Sequence, residues 1–231
     1  MASTLTPEMA EILGFLCAEG SHFKGLSNYI EFNKKRGKSY RRIRPQERIE
    51  FTNTDLELLE RFQRLTEKVY GYKPNLTKGG KAQKIRFTRK HVISNLLNYT
   101  DFGCQKWRVP NEINSGPIPQ ACAFVRGYFL GDGCLSHTQK GDIVRFCSIN
   151  KQGLNQVSAV LNRLGIEHKM YHYTPPEPRK RIYQLIIRKQ EMIYKFCNSI
   201  RNAEVAKTLS VPSGKVETVR RYVRCVQQGA R

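Results

Sequence analysis

Ile12-Leu13-Gly14-Phe15-Leu16-Cys17-Ala18-Glu19-Gly20 and Val125-Arg126-Gly127-Tyr128-Phe129-Leu130-Gly131-Asp132-Gly133 are two copies of one pattern. Gly14 matches Gly127, Glu19 matches Asp132 and Gly20 matches Gly133, each pair 113 residues apart. Both copies read as apolar helices stopped by the final Gly. That places an acid in the last turn of each helix. The carbonyl end of a helix already carries partial negative charge, so an acid there is disfavoured by up to about 1 kcal/mol. One such acid alone would be an ordinary solvated helix end, whereas two at equivalent positions point to a cation, and a divalent metal is the simple candidate. Gly14 and Ala18 are four apart, as are Gly127 and Gly131, so each pair lies on one helix face and lets another backbone approach closely. If the two helices pack on each other, Glu19 and Asp132 arrive side by side. Paired carboxylates of this kind can hold metal between the attacking and leaving oxygens of a phosphodiester.

The likeness extends outward from these stretches. An alternating strand near Phe51 leads through a polar turn into a helix from Thr54 to about Tyr70; near Phe146 the same sequence of signals leads into a helix from about Lys151 to Leu164. Strand pairs follow, Tyr72–Thr77 with Lys81–Thr88 turning at Gly79-Gly80, and Glu167–Tyr173 with Arg181–Arg188 turning through Pro175-Pro176. Helices over about Arg89–Tyr99 and Lys189–Arg201 complete each unit. The expected fold is therefore α+β, with the order α-β-β-α-β-β-α twice. Residues 1–100 form the first repeat, 101–118 a linker rich in Gly, Pro, Asn and Ser, and 119–231 the second repeat with a C-terminal helix over about Val216–Gln227. The basic stretch Asn33–Arg48 is expected as a long hairpin loop reaching along DNA or as a mobile solvated loop. Lys106 precedes Val109-Pro110 and Lys207 precedes Val211-Pro212, so each half carries a Lys before a Val-Pro.

Composition narrows the partners. The 231 residues include 40 Lys and Arg against 19 Asp and Glu, a net charge of +21, with 39% hydrophobic residues. That hydrophobic content supports a packed core. Folding does not need the charge excess and is opposed by its self-repulsion, so a polyanion is expected, nucleic acid before a membrane surface. No apolar run of about 18 residues suggests a membrane span. The seven cysteines are scattered and none forms a Cys-x-x-Cys pair, which argues against zinc and disulfide frameworks and for a reducing intracellular compartment, prokaryotic cytoplasm or an organelle.

On these residues the chain resembles the LAGLIDADG homing endonucleases in their single-chain, two-repeat form. The resemblance implies saddle-shaped antiparallel sheets lying in the DNA major groove, with the two motif helices at the interface between repeats. It implies a monomer that cuts both strands of a long, near-palindromic duplex site across the minor groove. It also implies a divalent ion, usually Mg²⁺ with Mn²⁺ or Ca²⁺ as alternatives, held by Glu19 and Asp132 with the carbonyls of Ala18 and Gly131. Glu19 stands where Asp is commoner. Asn150 matches the family's polar residue at the start of the second helix, and Lys106 and Lys207 match its Lys near the scissile phosphate. The corresponding Asp55 would repel phosphate.

Candidate DNA contacts are the polar and aromatic residues of the expected strands: Lys24, Asn28, Tyr29, Asn33, Asn75, Thr77, Lys78, Lys81, Gln83 and Arg86 in the first repeat, and His137, Gln139, Arg145, Lys169, Tyr171, Tyr173, Arg181, Tyr183 and Gln184 in the second. Arg and Lys read guanine and Asn and Gln read adenine in the major groove. The resemblance also takes in intron maturases, which would add intron RNA as a partner, and a non-cleaving DNA-binding protein on the same fold. A start at Met1 without flanking splicing sequence speaks against an intein.

Overall fold

In a computed structural model of the chain, residues 5–79, 82–138 and 141–201 are described. Lys81, Gln139, Lys207 and the stretch Val216–Gln227 lie outside them. The first repeat runs α1 (Pro7–Glu19), β1 (Gly20–Asn33), β2 (Lys38–Asn53), α2 (Leu56–Tyr70), β3 (Leu76–Gly79), β4 (Ala82–Phe87) and α3 (Lys90–Leu97). A short α4 (Asn111–Ser115) follows. The second repeat is α5 (Ile118–Asp132), β5 (Gly133–Thr138), β6 (Gly141–Ser148), α6 (Lys151–Arg163), β7 (Lys169–Tyr173), β8 (Ile182–Ile187) and α7 (Gln190–Ile200). Each repeat holds a four-stranded antiparallel sheet, in the orders β1-β2-β4-β3 and β5-β6-β8-β7. The α+β class and doubled element order expected from the sequence are those of the structure.

Local chemistry sets the ends of the elements. Thr6 caps α1 by accepting from the Met9 N–H at 3.2 Å, with Pro7 at the first helical position. Asp55 caps α2 and Asn150 caps α6. One surface of each sheet packs on helices. In the first repeat Phe15, Phe51, Phe62 and Phe87 form a ring cluster, with Phe51 and Phe62 centroids 4.4 Å apart. In the second, Tyr128, Phe129, Phe146 and Phe196 do the same.

Two expectations change. The Asn33–Arg48 stretch is mostly strand: β1 and β2 pair without interruption from Gly20↔Phe51 to Asn33↔Lys38, leaving only residues 34–37 in the turn. The stretch 101–118 is a packed part of the core as well as a connection, because Phe102, Trp107, Val109 and Ile113 are all buried.

α1 and α5 are buried over most of their length because they pack on each other as well as on their own sheets. Their contact is reciprocal. A Cβ added at Gly14 would collide with the Phe124 carbonyl and lie 2.8 Å from the Tyr128 nitrogen; one at Gly127 would collide with the Glu11 carbonyl and lie 3.0 Å from the Phe15 nitrogen. Beside this contact Glu11, 1% exposed, accepts from Arg61 Nη2 of α2 at 2.9 Å and from Arg126 Nη2 of α5 at 2.7 Å. Arg126 also donates to the Ile200 carbonyl at 3.2 Å. Burial alone would raise the Glu11 carboxyl, but the charges of Arg126 and Arg61 overcome it and hold the group below its ordinary value.

Gly14→Ala should force the helices apart and cost about 1–3 kcal/mol, seen as a fall in Tm of several degrees. Glu11→Gln leaves two guanidinium groups without their anion, so at neutral pH it should cost about 3–5 kcal/mol. Because the folded-state pKa of Glu11 is depressed, its contribution is present above the unfolded value and lost as the pH falls through the folded one. The stability gap between wild type and Glu11→Gln should therefore close below the ordinary value of 4.5. Urea melts across that range measure it; a gap independent of pH would contradict the assignment.

Candidate active site and nucleic-acid interface

Glu19 is the last residue of α1 and Asp132 the last residue of α5, and each is followed at once by the first strand of its sheet. The helix ends that carry them are in contact: a Cβ at Gly131 would lie 2.5 Å from the Ala18 Cβ and 3.4 Å from the Glu19 Cγ. The small residues along the helix pair thus bring the two acids to one place, as their spacing predicts. Asp132 is exposed and Glu19 partly exposed. Asn53, near the end of β2, donates to Glu19 Oε1 at 3.4 Å and accepts from the Asp55 N–H at 2.8 Å, tying the acid to the start of α2. Asp132 acts on its own surroundings: the Tyr128 hydroxyl is raised well above its usual range, first by burial and then by the Asp132 charge. Among the described residues no three His, Cys, Asp or Glu side chains converge to hold a metal ion.

Lys106 is exposed and sits in a turn closed by its N–H to the Gly103 carbonyl at 3.0 Å. The segment around it is fastened between the two halves. Trp107 packs on Tyr128 with ring centroids 5.1 Å apart. The Trp107 carbonyl accepts from Asn150 Nδ2 at 2.8 Å, and the Val109 N–H donates to Gln156 at 3.0 Å. Asn150 is 4% exposed, and its Oδ1 accepts from the Gly153 N–H at 3.0 Å. Both ends of its amide are bonded within the protein. Asn150, expected at the reacting centre, is here bonded to the Trp107 carbonyl and the Gly153 N–H, and so fastens the Lys106 segment to the start of α6.

Residues paired across an antiparallel register share a strand surface. One surface of the first sheet carries Ile49, Phe51, Ile85 and Phe87 against the helices; the other has no helix over it among the described residues. Of the expected DNA contacts, Tyr29, Asn33, Thr77 and Arg86 fall on the open surface. In the second sheet Arg145, Lys169, Tyr171, Tyr173 and Gln184 do so. Lys24, Asn28 and Gln83 fall on the other surface, and Tyr183 lies 5.9 Å from the Lys151 ammonium of α6 on the helix side. Strand alternation turns these four to the surface opposite the other candidates. Asn75 and Arg181 lie just before β3 and β8, and Lys78 and His137 on β3 and β5.

The open surface also holds cations not named among the strand contacts: Arg42, Arg44 and Arg48, from the stretch expected as a loop, and Lys84. Reading 33–48 as a loop hid the alternation Tyr40, Arg42, Arg44, Gln46, Arg48. Acids on the same surface orient these cations. Glu50, held below its ordinary value by Arg86, Lys84 and Arg48 against the opposing effect of burial, accepts from Arg86 Nε at 2.7 Å and Arg48 Nε at 3.1 Å. Glu31 accepts from Arg42 Nε at 2.9 Å.

Residues 119–201 match the family model of the LAGLIDADG-like domain. The chain is 27% identical over 174 residues to a DNA polymerase of Thermococcus kodakarensis, a match covering 74% of this chain and 9% of that protein. The chain thus spans about a tenth of the length of the curated relatives it matches. Among solved structures it is similar to the homing endonuclease I-DmoI in complex with DNA and Ca, with TM-score 0.60 and 20% identity over 95% of this chain and 100% of that one. It is also similar to the complex of I-DmoI with DNA and Mn, with TM-score 0.56 and 22% identity over 84% and 96% of the two chains. Residues 119–201 are thus similar to a LAGLIDADG-like domain, and the described chain has the fold seen in I-DmoI.

Proposed function

We propose that the protein is a site-specific endonuclease that hydrolyses both strands of duplex DNA, with one carboxylate from each repeat at the scissile phosphates. The observation that carries this reading is the meeting of Glu19 and Asp132 on touching helix ends, between two sheets whose open surfaces are basic. Two carboxylates at two helix carbonyl ends form a strongly negative point in a chain of charge +21. Such a point would repel DNA phosphate unless a cation lies between, and this donor set fits a hard divalent ion. Glu19 and Asp132, with the carbonyls of Ala18 and Gly131, would hold Mg²⁺, or Mn²⁺ or Ca²⁺ on the same atoms. When bound, the ion supplies an acidified water and charge neutralisation at the phosphate. I-DmoI, similar in fold, has been crystallised with its DNA and with Ca or Mn.

The chain's own groups do the rest. Lys106, held in place through Asn150 and Trp107, offsets charge developing on the phosphate. Lys207 is the matching proposal for the second repeat. Arg42, Arg44, Arg48, Arg86 and Lys84 in the first sheet, with Arg145 and Lys169 in the second, bind phosphates and base edges. Polymerase activity is not part of the proposal, because the match spans only about a tenth of those chains. That same share favours a second reading, in which this nuclease unit is of the kind carried within inteins. Neither a maturase nor a non-cleaving DNA binder requires the two acids.

Glu19→Gln and Asp132→Asn should each leave DNA affinity nearly unchanged and lower double-strand cleavage in Mg²⁺ by at least about a hundredfold. Cleavage at the wild-type rate by either variant, or tight binding without cleavage by the wild type, would sink the proposal.

The hairpins also set the shape of the footprint. β1–β2 pairs from Gly20↔Phe51 to Asn33↔Lys38, whereas β5–β6 ends at Thr138↔Gly141. The first is longer by roughly 25 Å, equal to about seven base pairs of B-DNA. The protected stretch is therefore expected to be unequal in extent, longer on the first-repeat side. In hydroxyl-radical footprinting the first-repeat side should extend further, and Arg42→Ala with Arg44→Ala should erase only its outer end.

A further inference from the structure

Among the described residues, Glu31 and Glu50 are the acids on the open surface of the first sheet, and both sit between cations. Glu31 shares its side of the ribbon with Arg42 and Arg44, and Glu50 with Arg48, Arg86 and Lys84. A carboxylate turned toward a DNA backbone repels it, and a chain of net charge +21 has many basic residues to put there instead. The strands of the second sheet carry no acid on their open surface. Their one acid, Asp142, shares the parity of Val144 and Phe146, which face the core. The two acids of the first sheet call for a use that offsets the repulsion.

Their hydrogen bonds indicate that use. Arg42 donates through Nε to Glu31 at 2.9 Å. Arg86 donates through Nε to Glu50 at 2.7 Å, with its Nη2 at 2.6 Å from the same oxygen. A guanidinium held along its Nε edge is fixed in plane and keeps its far edge, between Nη1 and Nη2, for a second partner. No described residue takes up the far edge of either arginine. The other cations are placed differently. Arg48 is fully engaged, with Nε on Glu50 at 3.1 Å, Nη1 on Gln46 at 2.9 Å and its face 4.1 Å from the Phe23 ring centre. Arg44 and Lys84 come no nearer to the acids than 3.8 and 3.7 Å, too far for a hydrogen bond. They keep their rotational freedom and suit phosphates, which need charge rather than a fixed plane.

A planar fork with two parallel N–H groups matches one base edge in the major groove, the O6 and N7 of guanine. Fixing that fork before DNA arrives removes the entropy cost of ordering a long side chain on binding. We infer that Arg42 and Arg86 each read a guanine, and that Glu31 and Glu50 are positioning residues that aim them. Arg86 pairs with Glu50, eight residues from Arg42 along β2. That separation is about 27 Å along the sheet, or about eight base pairs of B-DNA. Glu50 also pairs with Ser21, two residues after Glu19, so Arg86 reads the inner guanine, beside the candidate active site, and Arg42 the outer one. The inference rests on the DNA-binding part of the proposed function and narrows it: the half-site under the first repeat holds two G·C pairs at this spacing.

The test is a binding selection. The full-length protein is mixed with a randomised duplex library in Ca²⁺ in place of Mg²⁺, and the bound fraction is sequenced. Wild type should prefer guanine by at least about tenfold at two positions about eight base pairs apart. Arg42→Ala should erase the preference at one position and Arg86→Ala at the other, each leaving the remaining position selected. Glu31→Ala gives the decisive readout. If the acid merely repels phosphate, its loss tightens binding to every sequence alike. As a positioning residue, its loss removes the guanine preference at the Arg42 position while affinity for unselected duplex holds or rises. Glu31 and Arg42 are 44% and 49% exposed, so these variants should melt with the wild type. A guanine preference that survives Glu31→Ala, or one that Arg42→Ala erases at both positions together, would overturn the inference. A protein that selects the two guanines and does not cut in Mg²⁺ would sink the nuclease reading and uphold this one. A protein that cuts a site without guanines at this spacing would do the reverse.

Discussion

The fold turns on how closely two helix backbones can approach. Gly14 lies on the Phe124 carbonyl and Gly127 on the Glu11 carbonyl, so α1 and α5 meet backbone to backbone along their central turns. Any side chain at either glycine separates them. Everything that gives the protein its chemistry lies one turn further on. Ala18 and Gly131 continue the close contact to the helix ends, and Glu19 and Asp132 come together only because nothing larger intervenes. Two carboxylates at two helix carbonyl ends repel one another. The packing of the small residues and of the aromatic clusters on either side holds them there.

The pseudo-twofold relation between repeats is broken where the two halves lock. Glu11 binds Arg126 of the other repeat, but the residue matching Glu11 at the 113-residue spacing is Phe124. One repeat supplies the buried anion and the other a cation. A charge triad at 1–8% exposure is weak as a source of stability and costly to break, so its effect is to distinguish the correct pairing of unlike halves from a pairing of like ones. The stretch 101–118 adds to the same lock, since Trp107 and Val109 are held by Asn150, the cap of α6, and by Gln156 within that helix.

The sheets divide labour by strand alternation. On each, one surface is spent on the core and the other stays open and basic. In the first repeat the pairing of β1 and β2 runs well beyond the helices that cover its base, and there neither surface of the ribbon is covered by the described residues: one carries Arg42, Arg44 and Arg48, the other Leu26, Ile30, Phe32 and Ile43 beside Arg41. Among the described residues the second repeat has no counterpart to this arm. A molecule built from two similar units thus presents unequal surfaces to its partners.

Much of this was written in the sequence. The doubled Gly-x-x-x-small spacing and the acid before the terminal glycine depend on local periodicity and on helix-end electrostatics, and those survive any tertiary context; so do the polar residues Asp55 and Asn150 at the starts of α2 and α6. The order of elements followed for the same reason. What only the tertiary structure decided was which side chains share a surface. Lys24, Asn28, Gln83 and Tyr183 look like DNA contacts by type, yet strand parity turns them from the open surface, while Arg42, Arg44 and Arg48 join it because a stretch that composition marks as loop is a paired strand. Asn150 has the right chemistry for a reacting group, but burial and two internal hydrogen bonds make it a clamp. Register and burial arise from contacts between residues distant in the chain, and no local pattern encodes them.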